Sequence, residues 1–422
     1  MKTADTVTAD EAVASAARAA RETVADLAAV PATALDQALR MMADALGDAG
    51  PAAGVLAAND EDMRAARAGG LGEGLLDRLR LSGERLDAIA AQLRSLAAVP
   101  FEPDRRVLRE LPGGLVLAER RKPVGVIGAN FEARPNVVVD IASQFVKSRN
   151  AGVLRTGSAA IRSAIALADA VIAPSLAAAG LPGQMIQLVR QPGQESAYSL
   201  VRQPVLIPLV ILRGSGDSTR ALSLEAARHG VRTMAHADGG AVLYLDAAAD
   251  AALASRLIEA SLDRLGVCNR LNLLLVHSSR WDELLPVVRA VTDRLGVSLS
   301  LPPHAHPLGH EWALDTGREA TVTVFPVPDG GGAREAALIA NDETSGLAAA
   351  IVTADRDAAA VFLDTYAGTG AFWNATTRLL DGFKLYEVPE TGINIDAVPG
   401  PRGPVTFRDL CLRQVEVTPA TP

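Results

Sequence analysis

Cysteine and aromatic residues are scarce in this chain. Only two cysteines, Cys268 and Cys411, occur among 422 residues. Two are too few for a disulfide framework, and this usage is typical of a reducing compartment. Aromatic residues contribute 4% of the chain, whereas hydrophobic residues as a whole contribute 49%. The interior is therefore built mainly from Ala, Val, Leu and Ile, which suits the packing of helices against sheets.

Net positive charge and long apolar segments are also lacking. A net charge of −8 and a pI near 5.4 oppose binding to nucleic acid or anionic lipid, so we expect neither as a partner. The longest apolar stretch, residues 164–181, is interrupted by Asp169 and Pro174, whereas a membrane span needs about 20 nearly uninterrupted apolar residues. Acidic residues near the N-terminus argue against a signal peptide. We expect a cytoplasmic protein that acts on a small molecule.

The first half of the chain changes from helical periodicity to an alternation of strands and helices. The length of the whole chain, 422 residues, suggests about two to three domains. Residues 8–96 repeat apolar positions at helical spacing, which predicts a set of helices. Beyond them, strands alternate with helices, a pattern typical of a doubly wound parallel sheet with a ligand at its strand ends. The predicted strands are 124–128, 152–155, 185–189 and 205–211, and the predicted helices are 138–148, 158–179 and one through Ala221 and Ala226.

The second half predicts a further α/β unit and a small antiparallel element. Strands are expected at 241–245, 271–277 and 347–352, with helices between them. A turn signal within 111–120 predicts a β-hairpin. The polar, β-prone segment 405–417 is typical of an edge strand. Both segments leave edges that proteins usually pair or cover, which favours a homo-oligomer.

The segment Gly266-Val267-Cys268-Asn269-Arg270 places a thiol just before an apolar strand. A lone cysteine is often an inert core residue. Here its polar neighbours and the small Gly266 favour the alternative, a nucleophile that holds an acyl group as a thioester. Cys411 lies in the predicted edge strand and is expected to be structural.

Six segments in series resemble the γ-glutamyl phosphate reductase family of the aldehyde dehydrogenase superfamily. The similarity spans nearly the whole chain. It implies that Cys268 is the nucleophile and that a nicotinamide dinucleotide donates hydride. The segments are Ala58-Asn59-Asp60, Leu76-Asp77-Arg78-Leu79, Pro123-Val124-Gly125-Val126-Ile127, Arg134-Pro135-Asn136-Val137, Val267-Cys268-Asn269 and Asn374-Ala375-Thr376-Thr377-Arg378.

The resemblance also implies an aldehyde dehydrogenase-like α/β fold with three parts. A Rossmann-type cofactor domain is expected from residues 1–107 and 121–238, and an α/β catalytic domain from residues 239–385. The hairpin 108–120 and the strand 402–422 are expected to form a small β oligomerisation element. A homodimer or homotetramer follows from this organisation.

Two glycine-containing turns are predicted to bind the cofactor. Arg155-Thr156-Gly157-Ser158 opens a helix after a strand, where backbone N–H groups and the helix dipole favour a phosphate. Family members that prefer NAD commonly place a carboxylate there, whereas this chain has Ser158 beside Arg155, which favours NADP(H). The alternative is that Arg155 only caps or pairs on the surface. A second turn, Arg213-Gly214-Ser215-Gly216, is expected near the pyrophosphate or nicotinamide.

Three further residues are assigned to the reacting end of the substrate. The side chain of Asn136 and the backbone N–H of Cys268 are candidate donors to the oxyanion, although Asn136 is also suited to stabilising a turn. Arg134 is expected to attract an anionic substrate group, and an ion pair with Glu132 or Asp140 is its alternative. Asn269 is expected to bind substrate. No metal site is predicted.

A missing carboxylate favours the reductive direction. Oxidative members of the superfamily use a Glu just before a Gly-Gly pair to activate water, whereas this chain reads Ala237-Asp238-Gly239-Gly240. A reductase that releases phosphate does not need that water. We therefore expect NADPH-dependent reduction of γ-glutamyl phosphate, or of a related activated acid, to the aldehyde.

The chain departs from the family pattern at several polar positions. Apolar residues stand at Ala241-Val242 and Leu347-Ala348-Ala349, and changed residues stand at Ser261, Asn272 and Arg149. If these positions line the pocket, the substrate is another acyl phosphate or an acyl thioester. A catalytically inactive scaffold or binding subunit is the remaining alternative.

Overall fold

The computed structural model describes residues 8–214, 216–236, 239–315, 317–396 and 402–420. Within these ranges the chain forms two parallel sheets covered by helices, one three-stranded antiparallel sheet and one short antiparallel ribbon. The fold is α/β, as the sequence predicts.

The helices and strands have the following bounds. The helices are α1 (Ala9–Glu22), α2 (Val24–Leu27), α3 (Ala32–Gly47), α4 (Ala49–Ala68), α5 (Glu73–Leu79), α6 (Gly83–Ala98), α7 (Asn136–Lys147), α8 (Ile161–Leu167), α9 (Ala173–Ala178), α10 (Gln194–Leu200), α11 (Gly216–Arg228), α12 (Ala251–Ser261), α13 (Trp281–Leu295), α14 (Gly332–Glu343), α15 (Arg356–Thr365) and α16 (Gly382–Tyr386). The strands are β1 (Arg105–Leu111), β2 (Leu115–Pro123), β3 (Val126–Phe131), β4 (Ala151–Thr156), β5 (Ile186–Leu188), β6 (Leu209–Arg213), β7 (Arg232–His236), β8 (Ala241–Leu245), β9 (Leu271–His277), β10 (Ser298–Ser300), β11 (Thr321–Val327), β12 (Ala348–Val352), β13 (Gly370–Trp373), β14 (Gly392–Asn394), β15 (Gly403–Val405) and β16 (Cys411–Pro419).

The first parallel sheet has the strand order β5-β4-β3-β6-β7. Every residue of β3 and β4 is buried, because helices cover both faces of the sheet. The predicted strand at 205–211 is shifted in the structure, where β6 begins at Leu209. Pro208 has no N–H for the ladder, so pairing starts after it. The strand then ends at Arg213, which brings this side chain to the ligand edge of the sheet.

The second parallel sheet has the order β10-β11-β9-β8-β12-β13. The observed bounds of β8 and β9 are those that the sequence predicts, and both strands are fully buried. Such continuous burial explains why their apolar runs are easy to recognise.

The antiparallel sheet has the order β1-β2-β16, which confirms a hairpin near residues 111–120. The predicted edge strand 405–417 is divided, because β15 pairs with β14 and only β16 pairs with β2. The exposed apolar side chains of this sheet are Val107, Leu108, Leu115, Leu412, Val415 and Val417.

The helical stretch Ser158–Ala178 is long and apolar enough to cross a membrane by length and composition. It contains a π-helical turn at Ala168–Ile172 between α8 and α9. Leu167, Val171 and Leu176 are fully buried in the core beside the first sheet. The stretch is therefore packed as a core helix.

Candidate active site

A cavity of about 620 Å³ lies at the carboxyl ends of β3, β4 and β6 and extends to Cys268. Its size is in the usual range for sites that bind small molecules and cofactors. In open α/β sheets, ligands bind at this edge. The structure thus brings Cys268 together with both predicted glycine turns.

Cys268 lies in the loop between α12 and β9 and is partly exposed. Its carbonyl oxygen accepts a hydrogen bond from Gly240 N at 2.7 Å. On the C-terminal side, Arg270 is buried and donates to the carbonyls of Glu319 and Thr321. These contacts hold the loop from both sides, so the thiol stands on a fixed backbone at the cavity wall.

Three arginines face the cavity near this thiol: Arg78, Arg134 and Arg213. Burial, followed by the neighbouring charges of Arg213 and Arg78, lowers the pKa of Arg134 to about 9, while Cys268 acts in the opposite direction. No close salt bridge of Arg134 or Arg213 is seen among the described residues, but the charges of both arginines lower the pKa of Asp140, so part of the predicted alternative persists as a longer-range interaction of Arg134 with Asp140. Positive charge beside a thiol favours the thiolate and attracts an anionic substrate.

Sequence reasoning missed one carboxylate at the cavity, that of Glu311. Its Oε2 accepts a hydrogen bond from Gly239 N at 3.0 Å. A Cβ built on Gly239 would lie 2.6 Å from Glu311 Oε1 and 3.0 Å from the Cα of Cys268. No glutamate stands directly before the Gly239-Gly240 pair in the sequence, but the fold places the distant Glu311 beside it. No local pattern reveals this, because Glu311 comes from a loop between β10 and β11.

The predicted cofactor turns lie at the cavity wall. Gly157, Ser158, Gly214 and Gly216 all line it, and Ser158 and Gly216 begin the helical stretch Ser158–Ala178 and the helix α11. A Cβ on Gly214 would lie 3.2 Å from the carboxyl group of Glu132. The absence of side chains there leaves room for a dinucleotide, which these residues fit. Ser215 lies outside the described residues.

Arg155 and Thr156 are placed differently from expectation. Arg155 lies at the cavity edge, but it is buried and donates to Asn130, Ser196, Pro192 and Gly193 at 2.6 to 3.1 Å. A guanidinium has five N–H donors, so at most one is left for a ligand. The side chain of Thr156 is fully buried, which argues against the predicted contact with cofactor.

The two predicted asparagines also have internal partners. Asn136 is the first residue of α7, and its Nδ2 donates to Asp140 at 2.9 Å. Asn269 is buried; its Nδ2 donates to the carbonyl of Leu380 at 2.9 Å, and its Oδ1 accepts from Arg378. The prediction that Asn269 binds substrate is corrected, because both ends of its amide hold the 378–380 segment.

Two buried carboxyl groups lie near Arg213. Burial raises the pKa of Asp140 to about 6 and that of Glu390 to about 7, and Arg213 lowers both. Glu390 Oε2 accepts from Gly382 N at 2.6 Å. Asp140 was considered from the sequence only as a partner of Arg134, and Glu390 was not considered at all.

The positions at which the chain departs from the family pattern lie in the interior. Val242 and Leu347 are fully buried, and Asn272 is almost so. Their side chains pack inside the second sheet and beside the cysteine loop. The expectation that these replacements line the pocket is therefore corrected, and the argument for a changed substrate loses its basis.

Comparisons with known proteins agree with this geometry. The model of the aldehyde dehydrogenase family matches residues 1–306. A γ-glutamyl phosphate reductase from Anaeromyxobacter sp. (strain Fw109-5) is 38% identical over 378 residues, which cover 85% of each chain. The crystal structure of the γ-glutamyl phosphate reductase from Thermotoga maritima is 26% identical, with a TM-score of 0.84, over 96% of this chain and 98% of that one.

More distant structures share the fold alone. An acetylating aldehyde dehydrogenase from Geobacillus thermoglucosidasius is 15% identical, with a TM-score of 0.69, over 97% of this chain and 96% of that one. The chain therefore belongs to the aldehyde dehydrogenase family as an oxidoreductase acting on an aldehyde group, and it is a homologue of the γ-glutamyl phosphate reductases.

Proposed function

We propose that the enzyme reduces γ-glutamyl phosphate to glutamate 5-semialdehyde with NADPH, through a thioester on Cys268. The observation that supports this most is the pair Arg134 and Arg213, whose side chains face the same cavity as Cys268. Both side chains are partly buried and repel each other, and holding two like charges together away from water is costly. A phosphate group on the acyl carbon would offset that cost.

The chemistry needs four events at one carbon. The Cys268 thiolate attacks the acyl carbon, and the C–O bond to phosphate breaks as the leaving group departs toward the arginines. A bound reduced nicotinamide supplies the hydride to the resulting thioester. The C–S bond then breaks, which releases the aldehyde and restores the thiolate. Arg78 favours the thiolate at the start and again at the end.

The amino-acid end of this substrate needs a partner for its ammonium group. Asp140 and Glu390 are carboxyls in a buried setting near Arg213. An ammonium group beside either carboxyl favours its ionised form. We therefore assign this end of the substrate to the part of the cavity at Arg213, the arginine with which both carboxyls interact.

The preference for NADP(H) is part of the proposal. Ser158 stands at the start of its helical stretch without a carboxylate to repel a 2′-phosphate, and Arg155 lies beside it. Most N–H donors of Arg155 already bind groups within the protein, so we expect Arg155 to favour NADP(H) through its positive charge and not through a direct hydrogen bond. Comparing kcat/KM for NADP and NAD tests the preference, and equal values contradict it.

The central experiment follows NADPH formation with glutamate 5-semialdehyde, NADP and inorganic phosphate. Turnover that requires all three, and that is lost in Cys268→Ala, supports the proposal. Turnover with coenzyme A in place of phosphate would favour an acyl thioester reductase instead. A protein that alkylates at Cys268 but turns over no aldehyde would favour the inactive scaffold.

We also propose a cytoplasmic homo-oligomer, a homodimer or homotetramer, assembled through the antiparallel sheet. The exposed apolar side chains of β1 and β16, among them Val107 and Val415, support this role because proteins usually cover such edges. Light scattering on the full chain and on a chain truncated after Gly403 tests it. A monodisperse, active full-length monomer contradicts it.

A further inference from the structure

The short helix α5 lies between the first predicted cofactor turn and the loop that carries the nucleophile. On one face, Leu75 and Arg78 line the reaction cavity. On the other face, Leu76 and Leu79 are buried in one apolar cluster with Ala160, which follows the cofactor turn. The helix therefore contacts the cofactor end of the molecule and the reaction cavity at the same time.

Asn59 of α4, part of the first segment that resembles the family, anchors the end of α5. Its Nδ2 donates to the carbonyl of Leu79 at 2.8 Å and to Ser163 Oγ at 3.1 Å, and its Oδ1 accepts from Leu81 N at 2.7 Å. Ser163 lies in the helical stretch that begins at the cofactor turn, and it donates to the buried Asp62 at 2.7 Å. A buried polar network with satisfied members is rigid, so α5 is fixed relative to that helical stretch.

Two residues of α5 also hold the loop that leads to the nucleophile. Arg78 donates from its Nε to the carbonyl of Gly266 at 2.7 Å. Asp77 accepts from Arg264 Nη2 on one carboxylate oxygen at 2.8 Å, and from Arg85 Nη2 of α6 on the other at 2.6 Å. Gly266 and Arg264 stand two and four positions before the nucleophile in the sequence. One carboxylate thus joins α6 to the cysteine loop.

The bonds of this carboxylate set a position more than they stabilise the fold. The side chains of Asp77, Arg85 and Arg264 are 43%, 34% and 47% exposed, and ion pairs with this exposure contribute little to stability. A nucleophile that is misplaced by about 1 Å, however, can lose on the order of 100-fold in rate. Loss of the carboxylate should therefore change the reaction far more than the unfolding of the protein.

We infer that Asp77 is a positioning residue of the reaction, which acts through Arg264 to hold the Cys268 loop at a fixed distance from the predicted cofactor turn. The bond from Arg78 to Gly266 supports the same loop from the same helix. Asp77 acts through the backbone of the loop and needs no contact with substrate. The inference rests on the proposed function in that Cys268 is the nucleophile and the dinucleotide binds at the predicted turn.

The first arm of the test is a double-mutant cycle on phosphate-dependent oxidation of glutamate 5-semialdehyde. Asp77→Ala and Arg264→Ala should each lower kcat by about 10-fold or more with a nearly unchanged KM for NADP. The double variant should be no slower than Asp77→Ala, because both changes break the same bond. The matched control is Asp44→Ala, which breaks the exposed pair with Arg94 on α3 and α6 and should keep the kcat of the parent. Losses in kcat that add in the double variant overturn the inference.

The second arm needs neither dinucleotide nor substrate. Iodoacetamide alkylates the thiols, and mass spectrometry follows Cys268, with Cys411 as the internal reference. We expect slower alkylation of Cys268 in both single variants, because a displaced loop moves the thiol away from Arg78 at the cavity wall. A purely electrostatic effect would act in opposite directions, since one change removes a negative charge and the other a positive charge. Opposite shifts, or unchanged alkylation of Cys268, therefore overturn the inference.

Two further outcomes separate the inference from the proposed function. Urea unfolding gives the folded fraction of each variant, and a fall in kcat that this fraction fully explains overturns the positioning role. If Asp77→Ala does not fold, Arg264→Ala alone gives both readouts, since it removes only the loop end of the bond. Turnover that is lost in Cys268→Ala but unchanged in Asp77→Ala overturns the inference alone. A parent without turnover and with an unreactive Cys268 overturns the proposed function and the inference together.

Discussion

Replacing Arg134 by methionine tests two effects of its charge separately: the loss of folding stability that the charge causes and its contribution to phosphate binding. Burial and neighbouring cations lower the pKa of this side chain from 12.5 to about 9, which corresponds to on the order of 5 kcal/mol against the charged form. Relaxation recovers part of this, so we expect Arg134→Met to raise the free energy of unfolding by about 1–3 kcal/mol without ligand. The same change removes a charge-assisted bond to phosphate, worth about 1.5–3 kcal/mol.

The assay is phosphate-dependent oxidation of glutamate 5-semialdehyde at varied phosphate concentration. The KM for phosphate should rise roughly 10- to 150-fold in Arg134→Met, since about 1.4 kcal/mol is tenfold. Urea unfolding of the same sample gives the stability. Arg289→Met is the control, because that side chain is exposed on α13. An unchanged phosphate KM together with unchanged stability would refute the reasoning.

Three further predictions concern the nucleophile, a buried acid and a packed glycine. Cys268→Ala should abolish turnover at nearly unchanged Tm, and Cys411→Ala should leave the rate alone; most activity surviving in the first variant rules out covalent catalysis. Burial raises the pKa of Glu390 to about 7, so its carboxyl ionises more readily in the unfolded chain, and stability falls as pH rises from about 4.5 to 7. The free energy of unfolding of Glu390→Gln should therefore increase relative to the parent across that window, by on the order of 3 kcal/mol. Urea unfolding of both proteins at pH 5 and pH 8 measures this, and a difference in stability that does not change with pH contradicts it. Gly152→Ala should cost about 1–3 kcal/mol, because its Cβ would lie 2.2 Å from the buried ring of Phe145; an unchanged Tm would show that the ring moves freely.

The sequence determined the strands that are buried on both faces. Continuous apolar runs predict β8 and β9 at their observed bounds, because such runs fit only a strand covered on both sides. The sequence was less informative at β6. There an apolar run extends through Pro208, but the strand begins only at Leu209, because Pro208 has no N–H to pair with a neighbouring strand. It also predicted roles for Cys268 and for the glycines of two turns, residues that the structure brings to one cavity.

Only the tertiary structure decided which polar groups reach the site. Asn269 is next to Cys268 in sequence, but its side-chain amide is hydrogen-bonded to Leu380 and Arg378. Glu311 is distant in sequence, yet Asn272 places it against the cysteine loop. A buried polar side chain takes whichever partners the packing offers. The sequence therefore predicted the role of the thiol from its local pattern, whereas the packing of one loop across β9 determined which carboxylate lies near it.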